Sequence, residues 1–260
     1  MLYLLLLGIS VLGGFLSGFL GLGGAIVISP LLLLLPPLFG FEDIPMKTVA
    51  GLSMLQVFFG SLSGSFVHRK NNFINNNIFI YVGIPLCIAA LAGSYLSKFL
   101  SNLAVMIMFD FFVVLCFILL LKNQKNSKNE TEAKYLKFDK RLSILLGTIT
   151  GLVSGTIGAG GGIIMIPAFV RIYNLPFKTA IGTSLAIVFM GSVFGAVGKI
   201  LSFQVDYLLA LPIILGSLFA ARLGARVNKI SPPGTIRVLL LTVILLSFLQ
   251  VSYKIYVSLH

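Results

Sequence analysis

The chain is poor in charge. Asp, Glu, Lys and Arg make up only 10% of its 260 residues, against about 25% in a soluble domain. It lacks the polar surface that a folded domain needs in water, so a soluble globular protein is excluded. Acidic residues number seven and histidines two, one of them the terminal His260. The two cysteines, Cys87 and Cys116, stand far apart inside apolar stretches. With no CxxC pair and no metal spacing, both read as small buried apolar residues. HExxH, GxSxG and GxxxxGK[ST] are all missing, which removes the common metalloprotease, hydrolase and nucleotide-binding signatures. An intramembrane aspartyl protease would want two buried aspartates, and Asp206 falls in a loop. The chain is therefore expected to be no enzyme and to need no cofactor or metal. Any pumping has to draw on an ion or substrate gradient. The opening MLYLLLLGIS lacks the basic region of a signal peptide and is expected to be retained.

Apolar residues are what the chain has instead: 58% of it, with a mean hydropathy of +1.06. Ten apolar segments stand out, at 2–20, 25–39, 48–67, 78–96 and 103–121, then 142–157, 163–172, 179–200, 207–225 and 236–257. The expected fold is an all-α integral membrane protein in two repeats, 1–121 and 142–260, joined by a basic loop at 122–141. A spanning helix needs about 20 residues. The second segment of each half is shorter and closely follows a glycine-rich break. Each first pair is either two full spans or a broken, re-entrant hairpin, and hydropathy leaves both open.

The net charge of +12 invites a nucleic-acid reading, which the placement of the charges argues against. Seven of the 19 basic residues crowd into 122–141, and most others end apolar segments. If that loop is cytoplasmic, alternation puts 15 basic residues inside and four outside, the four being Lys47, Lys98, Lys199 and Lys254. Cytoplasmic loops carry such an excess. Each half then crosses an odd number of times, counting a re-entrant pair as zero. The second repeat is therefore expected to be inverted relative to the first, with both termini outside a multi-pass protein of the cell membrane. Its partners are the bilayer and a small anion; nucleic acid is not among them.

The halves are related by sequence as well as by count. Residues 14–30 read GFLSGFLGLGGAIVISP and residues 151–167 read GLVSGTIGAGGGIIMIP, identical at 8 of 17 positions. The match continues: Pro45-Met46-Lys47-Thr48 pairs with Pro176-Phe177-Lys178-Thr179, Gly51 and Ser53 with Gly182 and Ser184, and Gly60 with Gly191. Paired glycine interruptions at matching places in two halves point to a transporter's binding site. Unpaired amides in hydrocarbon are tolerated where they line a wet cavity. The helices restarting near Gly24 and Gly161 offer N–H groups and a partial positive charge to an anion. Candidate ligands are thus Gly21, Gly23 and Gly24 with Gly158, Gly160, Gly161 and Gly162. Nearby polar side chains join them: Ser17, Ser53, Gln56, Ser154, Thr183 and Ser184. Gly14, Gly18, Gly151 and Gly155 fit close helix crossings instead. Asp110 is expected to snorkel or pair with a cation near the outer surface. His68 and Lys199 are expected to end helices at the two interfaces.

The doubled GxxSGxxGxGGxxxxxP pattern, with both Pro-x-Lys-Thr entries and the following Gly-x-Ser, resembles the sulfite exporter family TauE/SafE over nearly the whole chain. The resemblance implies a plasma-membrane permease with two related halves that moves sulfur oxyanions or organosulfonates such as sulfite and sulfoacetate. The family's glycine turns fall on Gly21, Gly23, Gly24, Gly158, Gly160 and Gly161. The copies differ where Ala25 faces Gly162 and where Leu52 faces Thr183, so the two half-sites are not equivalent. An anion channel and a membrane assembly protein that transports nothing remain as alternatives.

Overall fold

The computed structural model describes residues 1–21, 23–69, 75–121 and 139–259. Most of the central basic loop, with Lys70, lies outside them, as do the side chains of His68 and Lys178. No strand occurs among the described residues. The described residues form ten α-helices in order: α1 (Leu2–Leu20), α2 (Ala25–Leu38), α3 (Met46–Arg69), α4 (Asn76–Leu96), α5 (Asn102–Leu121), α6 (Lys140–Ile157), α7 (Gly162–Ile172), α8 (Phe177–Leu201), α9 (Tyr207–Ile230) and α10 (Pro233–Leu259). A single 3-10 turn, Ser97–Phe99, closes α4.

Among the described residues, six stretches are long and apolar enough to cross a membrane: α1, α5, α9, Asn76–Phe99, Thr179–Leu201 in α8 and Gly234–Ser258 in α10. Their outer faces suit lipid. Leu211, Leu215, Phe219 and Leu223 run down one side of α9, each more than half exposed. In water such a stripe would be an aggregation surface. The short helices are different. With 14 and 11 residues, α2 and α7 extend about 21 Å and 16 Å at 1.5 Å per residue. Neither alone crosses a hydrocarbon core of about 30 Å.

Local chemistry sets the helix ends. Asn75, Asp139 and Asp206 cap α4, α6 and α9 by accepting from backbone N–H groups, Asp206 from Leu208 N at 2.9 Å and Leu209 N at 3.2 Å. Both α1 and α6 end in a glycine of left-handed conformation, Gly21 and Gly158, whose N–H returns to the Ser17 and Ser154 carbonyls.

The largest helix contacts correspond when the two halves are exchanged. Helix α1 lies on α9 and α6 lies on α4; α3 packs on α8 and α5 on α10. The α1–α9 seam brings Gly14 and Gly18 against the backbone of Ser217 and Ala221, and the α6–α4 seam brings Gly151 and Gly155 against Leu86 and Ala90. Ser217 and Ala221 stand at the repeat positions of Leu86 and Ala90. These four glycines therefore do what small-residue spacing leads one to expect: they let backbones touch.

Candidate functional site

Six glycines of the two breaks sit at positive φ, in matched pairs: Gly21 and Gly158 at 74° and 78°, Gly23 and Gly160 at 76° and 64°, Gly24 and Gly161 at 81° and 86°. A side chain is strained there, which explains the residue type at all six. Gly162 is an ordinary first residue of α7, as Ala25 is of α2. Gly24 and Gly161 are the N-cap residues, and no side chain caps either helix.

The two breaks meet. A Cβ placed on Gly23 would lie 3.0 Å from Val57 and 3.1 Å from Val188; one on Gly160 would press on the same two valines. Val57 on α3 and Val188 on α8 are repeat mates. Gly21 abuts Ile181 on α8, while Gly158 abuts its mate Ala50 on α3. Each break thus leans on the third helix of the other half, and both converge where α3 crosses α8.

Around this centre the polar groups are not symmetric. In the first half, Ser17 and Gln56 are fully buried. The Ser17 hydroxyl and both polar atoms of the Gln56 amide have no hydrogen-bond partner. Both line the start of α2. A Cβ on Gly24 would stand 2.6 Å from Gln56 Nε2 and 2.8 Å from Ser17 Cβ, and one on Gly60 2.9 Å from Ser17 Oγ. Gly13 likewise faces the amide nitrogen, at 3.7 Å. Leaving such groups unpaired in a dry interior costs about 1–3 kcal/mol each.

At the matching positions beside the second break, no such orphan occurs among the described residues. Ile187 occupies the position matching Gln56. Ser154 Oγ is bonded to the Gly151 carbonyl at 3.1 Å. Gly161 faces Leu86 Cδ1 at 3.0 Å and Met165 Cε at 3.3 Å, and Leu86 fills the space beside Gly191. The other candidate hydroxyls are also occupied. Ser53 and Ser29 hydroxyls share a bond of 2.9 Å. Ser184 Oγ lies 2.9 Å from the Ile181 carbonyl and 3.1 Å from the Gly21 carbonyl, tying α8 to the first glycine turn. Thr183 Oγ1 accepts from Asn75 N at 3.0 Å.

Two charged residues of the apolar segments are held by neutral partners. Asp110, expected to snorkel or to pair with a cation, is half-buried and accepts from Ser252 Oγ at 2.9 Å, a bond between α5 and α10. Lys199, expected at an interface, is fully buried. Its Nζ donates to Gln204 Oε1 at 2.7 Å, Ser97 Oγ at 2.8 Å and the Thr156 carbonyl at 2.9 Å. A lysine one residue from the end of an apolar run reads as a snorkelling anchor. The loop after α8 folds back over it, which no local pattern announces.

Comparison with known proteins yields one family. A family model described as Sulfite exporter TauE/SafE matches residues 6–251. The chain is similar to probable membrane transporter protein YunE of Bacillus subtilis, 26% identical over 97% of this chain and 98% of the relative. It is similar also to probable membrane transporter protein MJ0441 of Methanocaldococcus jannaschii, 28% identical over 93% and 94%. No solved structure matches it.

Proposed function

The chain belongs to the sulfite exporter TauE/SafE family of membrane transporters, and on that premise we propose that it carries a small anion across the cell membrane by alternating access. The foremost substrate class is a sulfur oxyanion or organosulfonate, such as sulfite or sulfoacetate. The two repeats lie inverted in the bilayer with the central basic loop cytoplasmic, and α2 and α7 re-enter rather than cross. The substrate sits between the glycine turns, nearer the first.

One observation carries this reading: the unpaired Ser17 hydroxyl and Gln56 amide against the uncapped start of α2 at Gly24. Buried polar groups are normally bonded. Hydroxyl and amide N–H donors beside a helix N-terminus, with no cation among them, suit an oxyanion. It would accept the bonds that the protein leaves open, and glycine lets it approach the backbone. The rest of the site, from Gly158 to Gly162, offers a second turn with apolar walls, so the anion is held from one side.

The test is thermal unfolding of the detergent-purified protein with sulfite, thiosulfate, sulfate, sulfoacetate, taurine and phosphate. A ligand confined to the folded state stabilises by about 2.7 kcal/mol at a hundredfold excess over its Kd. A selective shift with one sulfur anion is expected, and Gln56→Leu should abolish it. Without ligand, Gln56→Leu should unfold at a higher temperature than the wild type, because it removes a buried unpaired amide worth about 1–3 kcal/mol. Unaltered binding by Gln56→Leu would overturn the site. Saturable counterflow in liposomes is expected of a carrier; flux that never saturates would mean a channel.

A further inference from the structure

We propose that Lys199, Gln204 and Ser97 form a second oxyanion subsite, separate from the one at Ser17 and Gln56, where the end of α8, the turn after α4 and the last turn of α6 meet. The ligand class rests on the anion-transport reading above; the location does not.

The first observation is a buried lysine without a counter-charge. Lys199 is fully buried, and its Nζ lies within hydrogen-bond distance of three neutral groups. No carboxylate pairs with it among the described residues. The nearest chain neighbours add more positive charge: Lys47 Nζ donates to the Lys98 carbonyl at 3.0 Å, one residue from Ser97. An ammonium in a dry interior carries a desolvation penalty of several kcal/mol, which neutral hydrogen bonds offset only in part.

The second observation is Gln204. Its Oε1 faces Lys199, which has only donors, so the amide orientation is fixed by chemistry. Nε2 is then left buried and without a partner, on a residue only 7% exposed. A buried cation and a buried spare N–H donor therefore stand side by side on the same amide and ammonium. An oxyanion seated there would accept from Nε2 and from an Nζ N–H that leaves one of its neutral acceptors, and would offset an ammonium charge. Ser97 Oγ now donates to the Ser94 carbonyl at 2.6 Å and is a third group able to turn toward it.

The other half shows that the backbone does not require a charge here. Thr156 is the repeat mate of Phe19, and Ser97 that of Asn228. Asn228 Nδ2 donates to the Phe19 carbonyl at 2.6 Å, doing with a neutral amide what Lys199 does for Thr156. The carbonyl near the end of α6 needs a donor, as helix C-termini do, but not a cation. The charge has another use, and a bound anion supplies it.

The test counts sulfite bound at saturation by the purified full-length protein. Wild type should take two per chain. Gln204→Glu places a carboxylate on Lys199 from within. It should unfold at a higher temperature than wild type without ligand, and bind one sulfite per chain. At the lost subsite the affinity should fall roughly tenfold to a hundredfold, the range of one charge-assisted hydrogen bond. Lys199→Met should lose the same sulfite, and Gln56→Leu should lose the other one and keep this one. Wild-type stoichiometry and affinity in Gln204→Glu would overturn the subsite and leave the anion reading standing. Full occupancy at Lys199 with no effect of Gln56→Leu would overturn the first site and leave this one. Sulfite bound nowhere on the wild type would remove both.

Discussion

Pro30 deletes one backbone donor, and the structure shows where the loss is made good. In a regular helix the N–H of residue 30 would reach the Ile26 carbonyl; proline has none. Ser247 of α10 supplies the missing donor, its hydroxyl 2.6 Å from that carbonyl and fully enclosed. Ser247→Ala should therefore cost about 1–3 kcal/mol, the penalty of a buried unsatisfied carbonyl. In a Pro30→Ala background the restored N–H takes over, and Ser247→Ala should then cost little. Denaturant unfolding of the four proteins measures the coupling, expected at about 1 kcal/mol or more. Equal costs in both backgrounds would mean that Ser247 serves something else. At this scale the sequence was partly legible. Gln56 declares itself, since an amide inside an apolar run needs a partner. The apolar answer at Ile187 is equally plain once the repeat is aligned. Lys199 is not legible, because its enclosure depends on Ser97 and Gln204, which approach it only through the fold. The engagement of Thr183 by Asn75 is hidden for the same reason.

At the scale of the helix, small residues decide which faces can meet. A Cβ on Gly18 would run into the Ala221 carbonyl of α9, and one on Gly14 would lie 2.6 Å from Ser217 Cα. Backbone cannot retreat as a flexible side chain can, so Gly18→Val should part α1 from α9. The expected result is loss of a monodisperse peak in size-exclusion chromatography, with Gly155→Val behaving alike on α4. Gly8, on the same helix, has nothing within 4 Å of its would-be Cβ. Gly8→Ala should be tolerated and add about 0.5–1 kcal/mol, because alanine loses less conformational freedom in a helix. Destabilisation by Gly8→Ala equal to that of Gly18→Val would show that helix propensity, not crossing distance, is being read. The helices themselves could be drawn from hydropathy to within a few residues, and the breaks from their glycines. The partners of each helix could not, since α1 packs chiefly on α9, a helix of the other half.

For the molecule as a whole, exchange of the halves relates the largest helix contacts, α1 on α9 with α6 on α4 and α3 on α9 with α8 on α4, and the orientation of that relation in the bilayer is open to a direct test. Lys98, after α4, and Lys229, near the end of α9, occupy matched positions and both side chains are exposed. If the repeats are inverted, the two points face opposite sides of the membrane. If the repeats are parallel, they face the same side. Charge counting favours inversion, because cytoplasmic segments gather Lys and Arg, and Lys98 belongs to the sparse set of four. The native cysteines Cys87 and Cys116 are buried, so the wild type should label poorly with a membrane-impermeant maleimide. In intact cells, Lys98→Cys should label and Lys229→Cys should not; after permeabilisation both should. Labelling of both in intact cells would end the inverted arrangement. The facing pair of half-sites would fall with it, because half-sites related by an axis in the membrane plane need repeats of opposite orientation. Gly23 and Gly160 converge on Val57 and Val188, two breaks on one pair of crossing helices, so a carrier that works by tilting α3 against α8 would move both turns at once.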